Sequence, residues 1–197
     1  MFLDRGYGGT TMRAVATAAA VSVPTVEALF GTKARLLKAA IDVAIAGDDE
    51  PVAVLDRPWA QAARQAQTLA GFMPVVAKVI ADAQQRSAGL VLAVFEAWSR
   101  DADLAALAAQ MASQREATAA WIVDGMTGLA PLRAGCGREE AVDTVWLLMD
   151  PAVFVRLTRQ RGWSARRYQD WIAAAIARLL TCDDWPARDR RPERSRG

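Results

Sequence analysis

Apolar residues return at helical spacing along almost the whole chain, and the first repeat is the most informative. Met12, Val15, Ala16 and Ala19 fall at i, i+3, i+4 and i+7. That is one face of a short helix over about 11–18, with Thr10 as its N-cap. A break follows at Ala19-Ala20-Val21. Ser22 caps a second helix with Pro24 in its first turn, and Val26, Leu29 and Phe30 direct its apolar side to the same core. Gly31 stops it. Thr32 caps a third helix, to about 46, that carries Leu36, Leu37, Ala40, Ile41, Ala44 and Ile45. Two short helices joined by a tight turn form a helix-turn-helix, whose second helix can enter a major groove.

The third helix ends at Gly47-Asp48-Asp49-Glu50-Pro51, a glycine stop with a proline beyond it. After a boundary at about 47–58, the pattern predicts helices over about 59–70, 72–86, 88–99 and 102–127. A loop follows over 127–137, with three glycines and a proline after Thr127. Two final helices fall at about 138–160 and 165–181. Pro151 kinks or restarts the first of these, with Asp150 as cap. The last carries a broad stripe of Tyr168, Trp171, Ile172, Ala175, Ile176, Leu179 and Leu180. The expected fold is all-α. A helix-turn-helix domain (1–47) precedes a helical bundle (48–182), and a polar tail (183–197) reads as disordered.

Composition narrows the chemistry. Hydrophobic residues make up 53 % of 197, with alanine foremost and no long β-branched alternation. A net charge of +2 confines any basic footprint to a local patch. There is no histidine, so no Ser-His-Asp triad, Cys-His pair or His-ligated zinc is possible. No phosphate-cradling glycine motif is present. The reading is therefore a non-enzyme with no cofactor and no metal. Cys136 and Cys182 lie far apart and read as two reduced thiols in a cytoplasmic protein. No apolar stretch is long enough to cross a bilayer, so no membrane partner is expected.

The strings F-L-D-R-G-Y-G-G-T-T-M (Phe2 to Met12), A-A-A-V-S (Ala18 to Ser22), P-T-V (Pro24 to Val26) and F-G-T-K-A-R-L-L (Phe30 to Leu37) resemble the DNA-binding domain of TetR-type (tetracycline-repressor-like) transcriptional regulators. The resemblance covers about the first 45 residues and implies a homodimer whose hold on a double-stranded operator is controlled by a small molecule. Three departures stand out. Glu27 occupies a position where the family pattern carries tyrosine. Ala20 replaces the turn glycine and is expected to keep a negative φ. The first helix is almost wholly missing, which would leave Phe2, Leu3 and Tyr7 without packing partners.

The candidate DNA contacts are Thr10, Thr11, Arg13, Ser22, Pro24, Thr25, Ala28 and Lys33. Thr10, Thr11, Thr25 and Lys33 sit at helix starts, where free N–H groups favour phosphates. Arg13 can reach a phosphate or a guanine, while Pro24, Thr25 and Ala28 offer methyl contacts to thymine. Large side chains of the bundle suggest an apolar effector pocket from Phe72, Phe95, Trp98, Met111 and Trp121, with Glu96, Gln114 and Arg115 as its polar groups. The family's dimer-forming pair of helices would use Val142, Val145, Trp146, Met149, Trp171, Ile172, Ala175, Ile176 and Leu179. The leading reading is a ligand-responsive repressor released from its operator by a small hydrophobic molecule. Its rival is a dimeric helical ligand-binding or interaction module that has lost DNA binding.

Overall fold

Ten α-helices carry nearly all the regular structure of residues 1–182, which the computed structural model describes apart from the side chain of Arg100. They are α1 (Phe2–Gly9), α2 (Met12–Ala18), α3 (Val23–Phe30), α4 (Lys33–Ala46) and α5 (Pro58–Arg64), then α6 (Leu69–Ala97), α7 (Ala102–Thr127), α8 (Arg138–Leu148), α9 (Pro151–Val155) and α10 (Ala165–Leu180). Among the described residues, extended backbone pairs only at an isolated antiparallel bridge between Leu132 and Thr181. The fold is all-α. The tail expected to be disordered, 183–197, lies outside the described residues.

Side-chain caps set most helix starts. Ser22, Thr32, Thr68, Asp101, Asp150 and Ser164 each accept a backbone N–H of the helix they precede. Gly31 (φ 71°) and Gly47 (φ 95°) end α3 and α4 in backbone that a side chain would strain. Asp150 restarts the chain before Pro151, and a wide π turn over Arg156–Gln160 follows α9.

Two boundaries differ from the sequence expectation. The helix expected to reach 70 stops at Arg64, because Thr68 claims the next start. The two helices expected over 72–86 and 88–99 are one, α6, of 29 residues. Ser87 does not break it: it is buried and its hydroxyl donates to Ala83 O at 2.8 Å. Gly89 is a gap for a neighbour. A Cβ there would stand 2.6 Å from Leu3 Cδ2 of α1.

Two hydrophobic clusters organise the chain. The larger joins α5 to α10 through residues such as Phe72, Met73, Ile122, Met126, Val145, Tyr168, Ile172 and Ile176. The smaller fastens the N-terminal helices to the bundle. Phe2 of α1 and Ala34, Leu37 and Ile41 of α4 pack with Val91 and Val94 of α6 and with Leu104, Leu107 and Ala108 of α7. Fully burying each of the larger side chains contributes roughly 1.5–3 kcal/mol. Phe2 and Tyr7 therefore have partners, contrary to expectation: their rings stack at 6.3 Å, and Phe2 is 8 % exposed. Leu3 remains 59 % exposed.

Gly125 shows how tight the larger cluster is. A Cβ at this α7 position would lie 2.7 Å from the ring of Phe72, which is 1 % exposed and stacked on Trp121. Alanine gains about 1 kcal/mol of helix propensity, but overpacking costs about 1–3 kcal/mol. Gly125→Ala should therefore destabilise the fold by about 1 kcal/mol, read as a lower urea midpoint at unchanged slope. A raised midpoint would show that Phe72 yields.

Candidate nucleic-acid interface and effector cavity

Helices α2 and α3 meet at a bend of 112°, within the roughly 90–120° of a helix-turn-helix. Val26 of α3 and Ala16 of α2 are buried, and the remaining α3 surface is largely open. The turn between them is strained. Ala20 has φ 55°, not the expected negative value, because the chain must reverse within Ala19–Val21. An alanine held there costs about 1–2 kcal/mol.

The structure distributes the expected DNA contacts unevenly. Thr11, Arg13, Ser22, Pro24, Thr25 and Ala28 are exposed. Thr10 is not: it is 0 % exposed, and its hydroxyl donates to Gly6 O at 2.8 Å. Thr11 takes the capping place assigned to it, accepting the Ala14 N–H at 3.1 Å. The helix starts one residue later than expected, so Thr10 serves the α1–α2 corner and no phosphate. Ser22 accepts the Thr25 N–H at 3.1 Å, and the two hydroxyls meet at 2.7 Å. Lys33 is half-buried. Its ammonium donates to Tyr7 O at 2.8 Å and lies 4.0 Å from the centre of the Tyr7 ring.

Two further residues emerge. Leu29, expected in the core, is 72 % exposed, since Val26 and Phe30 already fill the inward side of α3. Arg35, passed over in the sequence, is exposed on the first turn of α4 with its guanidinium over Gly31. Residues 1–47 hold five basic and three acidic side chains. Glu27, exposed, is the only charged residue of α3.

Tyr7 ties this unit to the bundle. Its hydroxyl donates to Asp101 Oδ2 at 3.1 Å, and Asp101 also caps α7. Burial, then the Asp101 hydrogen bond, pushes the Tyr7 phenol up to about 12.

A cavity of about 620 Å³ lies between α4, the 48–55 segment, α6 and α7, within the size range of small-ligand sites. Val76, Val79, Ile80, Val91, Phe95, Met111 and Ile122 form apolar wall, and Trp59, Gln84, Gln114 and Arg115 also line it. Of the expected pocket residues, Phe95, Met111, Gln114 and Arg115 are present. The others are elsewhere. Phe72 and Trp121 stack on each other in the larger cluster, with Trp121 edge-on to Trp59, Glu96 is exposed, and Trp98 is 49 % exposed. Gln84 and the 48–55 segment were missed. The signal for Gln84 was a polar residue at a core position, four after Ile80.

The polar end of the cavity is built on the α8–α9 break. Gln84 Nε2 donates to Met149 O at 2.6 Å. Arg115 pairs with Asp150 at 2.9 Å and lies 4.0 Å over the Trp146 ring. The opposite wall is held by charge. Arg86 donates to Ala44 O and Ile45 O at 2.7 and 3.0 Å, closing the end of α4. Arg57 grips Asp48 through two hydrogen bonds, of 2.6 and 2.8 Å, which hold the Asp48 carboxyl below its usual range.

The expected dimer residues divide likewise. Val142, Val145, Met149, Ile172 and Ile176 are buried in the chain's own core and closed to a partner, because α10 spends most of its stripe on α6 and α8. Trp146, Trp171 and Ala175 are half-buried. Leu179 (47 %) and the unexpected Leu147 (60 %) remain exposed.

Two outcomes follow. Ala20→Gly should raise stability by about 0.5–1 kcal/mol, since relief of the left-handed strain exceeds the added unfolded-state entropy of about 0.4–1 kcal/mol. Denaturant unfolding that shows a loss would place the strain elsewhere. In an ultraviolet titration of the folded chain, neither of its two tyrosines should ionise near pH 10. Burial holds Tyr168 up as well, and Tyr7 titrates only toward about 12. Both phenols therefore contribute stability that is complete below about pH 10 and is lost as pH climbs toward the folded values. A native phenolate step at pH 10 would contradict the Tyr7–Asp101 contact.

Among the described residues, no single helix is long and apolar enough to cross a membrane. No curated protein matches the chain. Residues 1–40 match the family model described as bacterial regulatory proteins, tetR family. That segment contains the bent helix pair, its exposed second helix and the first turns of α4. The N-terminal unit is thus similar to the DNA-binding segment of tetR-family regulators, which supports DNA as its partner and a role in transcription regulation.

Proposed function

We propose that this regulator is a cytoplasmic homodimeric repressor that a small, largely hydrophobic molecule releases from its operator. In this reading residues 1–47 bind DNA and residues 48–182 bind the effector and the second copy. One observation carries it: α4 belongs to both units. Its buried Ala34, Leu37 and Ile41 hold the N-terminal helices on the bundle, while Lys38, Asp42, Val43, Ile45 and Ala46 wall the cavity. A molecule filling the cavity displaces α4, and α4 carries the helix-turn-helix with it. By linkage that molecule must bind the DNA-free form more tightly. Two copies joined through the open faces of α8 and α10, with Leu147 and Leu179 among the contacts, would present two α3 helices to an inverted repeat with half-sites about 34–36 Å apart.

The test is anisotropy of labelled duplex from the chain's own promoter region, across a series of salt concentrations. Log affinity should fall linearly with log salt, at about 0.9 per phosphate neutralised. Ala83→Phe, which sets a ring on the cavity wall, should weaken binding as an effector would. Full affinity in this variant, with the fold intact, would remove effector control. No binding by the parent chain at low salt would favour the module that has lost DNA binding.

A further inference from the structure

Helix α3 turns to solvent four residues that bear no side-chain hydrogen-bond donor except the Thr25 hydroxyl. Val26 is buried, and Val23 and Phe30 are half-buried on the same side. At 100° per residue the opposite side holds Pro24, Thr25 and Ala28, and Leu29 lies on the flank beside Val26, all four exposed. Pro24, Ala28 and Leu29 have apolar side chains. The Ser22 and Thr25 hydroxyls meet at 2.7 Å, either one donating, and the Thr25 methyl is the apolar branch of that side chain. Glu27, on the flank, is an acceptor when ionised and cannot donate to guanine O6 or N7. The nearby cations lie on other helices: Arg13 on α2, and Lys33 and Arg35 on α4.

A helix so equipped meets one complementary feature in a major groove. Every base edge there offers hydrogen-bonding atoms, and only thymine adds an apolar group, its 5-methyl. We infer that this chain discriminates among sequences by covering thymine 5-methyl groups with Pro24, Thr25, Ala28 and Leu29, and not by hydrogen bonds from α3 to guanine. The inference rests on the DNA-binding reading and deepens it by naming the class of half-site. Leu29 is its sharpest element. It serves no core and stands 72 % exposed on the helix of the family-matched domain. The basic side chains of the same unit, Arg13 and Arg35, are exposed and free to meet the phosphates flanking such a groove.

The experiment enriches random-sequence duplexes on the full-length chain and then remakes the enriched duplex with deoxyuridine in place of thymidine. That exchange deletes the 5-methyl groups and leaves every hydrogen-bonding edge in place. The enriched half-sites should hold thymine at two or more adjoining positions. Uracil should weaken binding about fourfold per methyl lost, the factor expected for one buried carbon. Leu29→Ala, truncating an exposed side chain, should weaken the thymine duplex but barely change the uracil duplex, so that the two losses are not additive. Equal binding of thymine and uracil duplexes would overturn the inference while leaving DNA binding intact. So would an equal Leu29→Ala loss on both duplexes. Failure to enrich any duplex would remove the DNA-binding reading and the inference together.

Discussion

The small core shared by α1, α4, α6 and α7 is the constraint on which the rest of the molecule depends. The helix-turn-helix is too small to bury much of itself: α2 and α3 contribute only Ala16 and Val26 as fully covered apolar residues. Leu37 and Ile41 pack in one cluster with Val94 and Leu104, and Phe2 belongs to the same cluster. Without that docking the N-terminal helices would be marginal, as short isolated helices are in water. The same side chains fix where the recognition helix stands relative to the bundle. Stability and geometry of the DNA-facing unit thus come from one set of contacts.

Charge finishes what the apolar core begins. Tyr7 joins Lys33 at the start of α4 to Asp101 at the start of α7, through its carbonyl on one side and its hydroxyl on the other. Arg57 and Asp48 fix the segment after α4, and Arg115 and Asp150 fix the α8–α9 break. Each of these pairs is partly shielded, which makes it worth more than a solvated surface pair. Asp48 and Arg115 line the cavity, so its shape depends on the last two pairs. Lys33 has partners inside the chain as well. A lysine at a helix start suggests a phosphate contact, yet here its ammonium already has a carbonyl and a ring.

Much of the fold was legible in the chain. Capping residues and glycine stops marked both ends of α3 and α4, because those signals are local. What failed required knowledge of partners. Gly89 and Ser87 look like a break until α1 is seen lying against Gly89. Thr10 and Thr11 are equivalent as caps until the corner at Gly6 claims one hydroxyl. Val142, Val145, Ile172 and Ile176 have the pattern of an interface, but a stripe does not say whether it meets its own chain or another. The cavity was the least visible part, since a segment without helical periodicity, 48–55, forms one wall. Leu29 is the instructive error: periodicity placed it inward, whereas Val26 and Phe30 had already filled that side.

The Arg86 contact with the last carbonyls of α4 has a mechanical meaning. A helix end held by a guanidinium does not fray, so α4, about 20 Å long at its 14 residues, behaves as a rigid lever. Its fulcrum is the Leu37–Ile41 region, near the middle of the helix. An ångström of travel at the Arg86 end cannot be absorbed by unwinding. It must reappear as tilt at Lys33, beside the turn that holds α3.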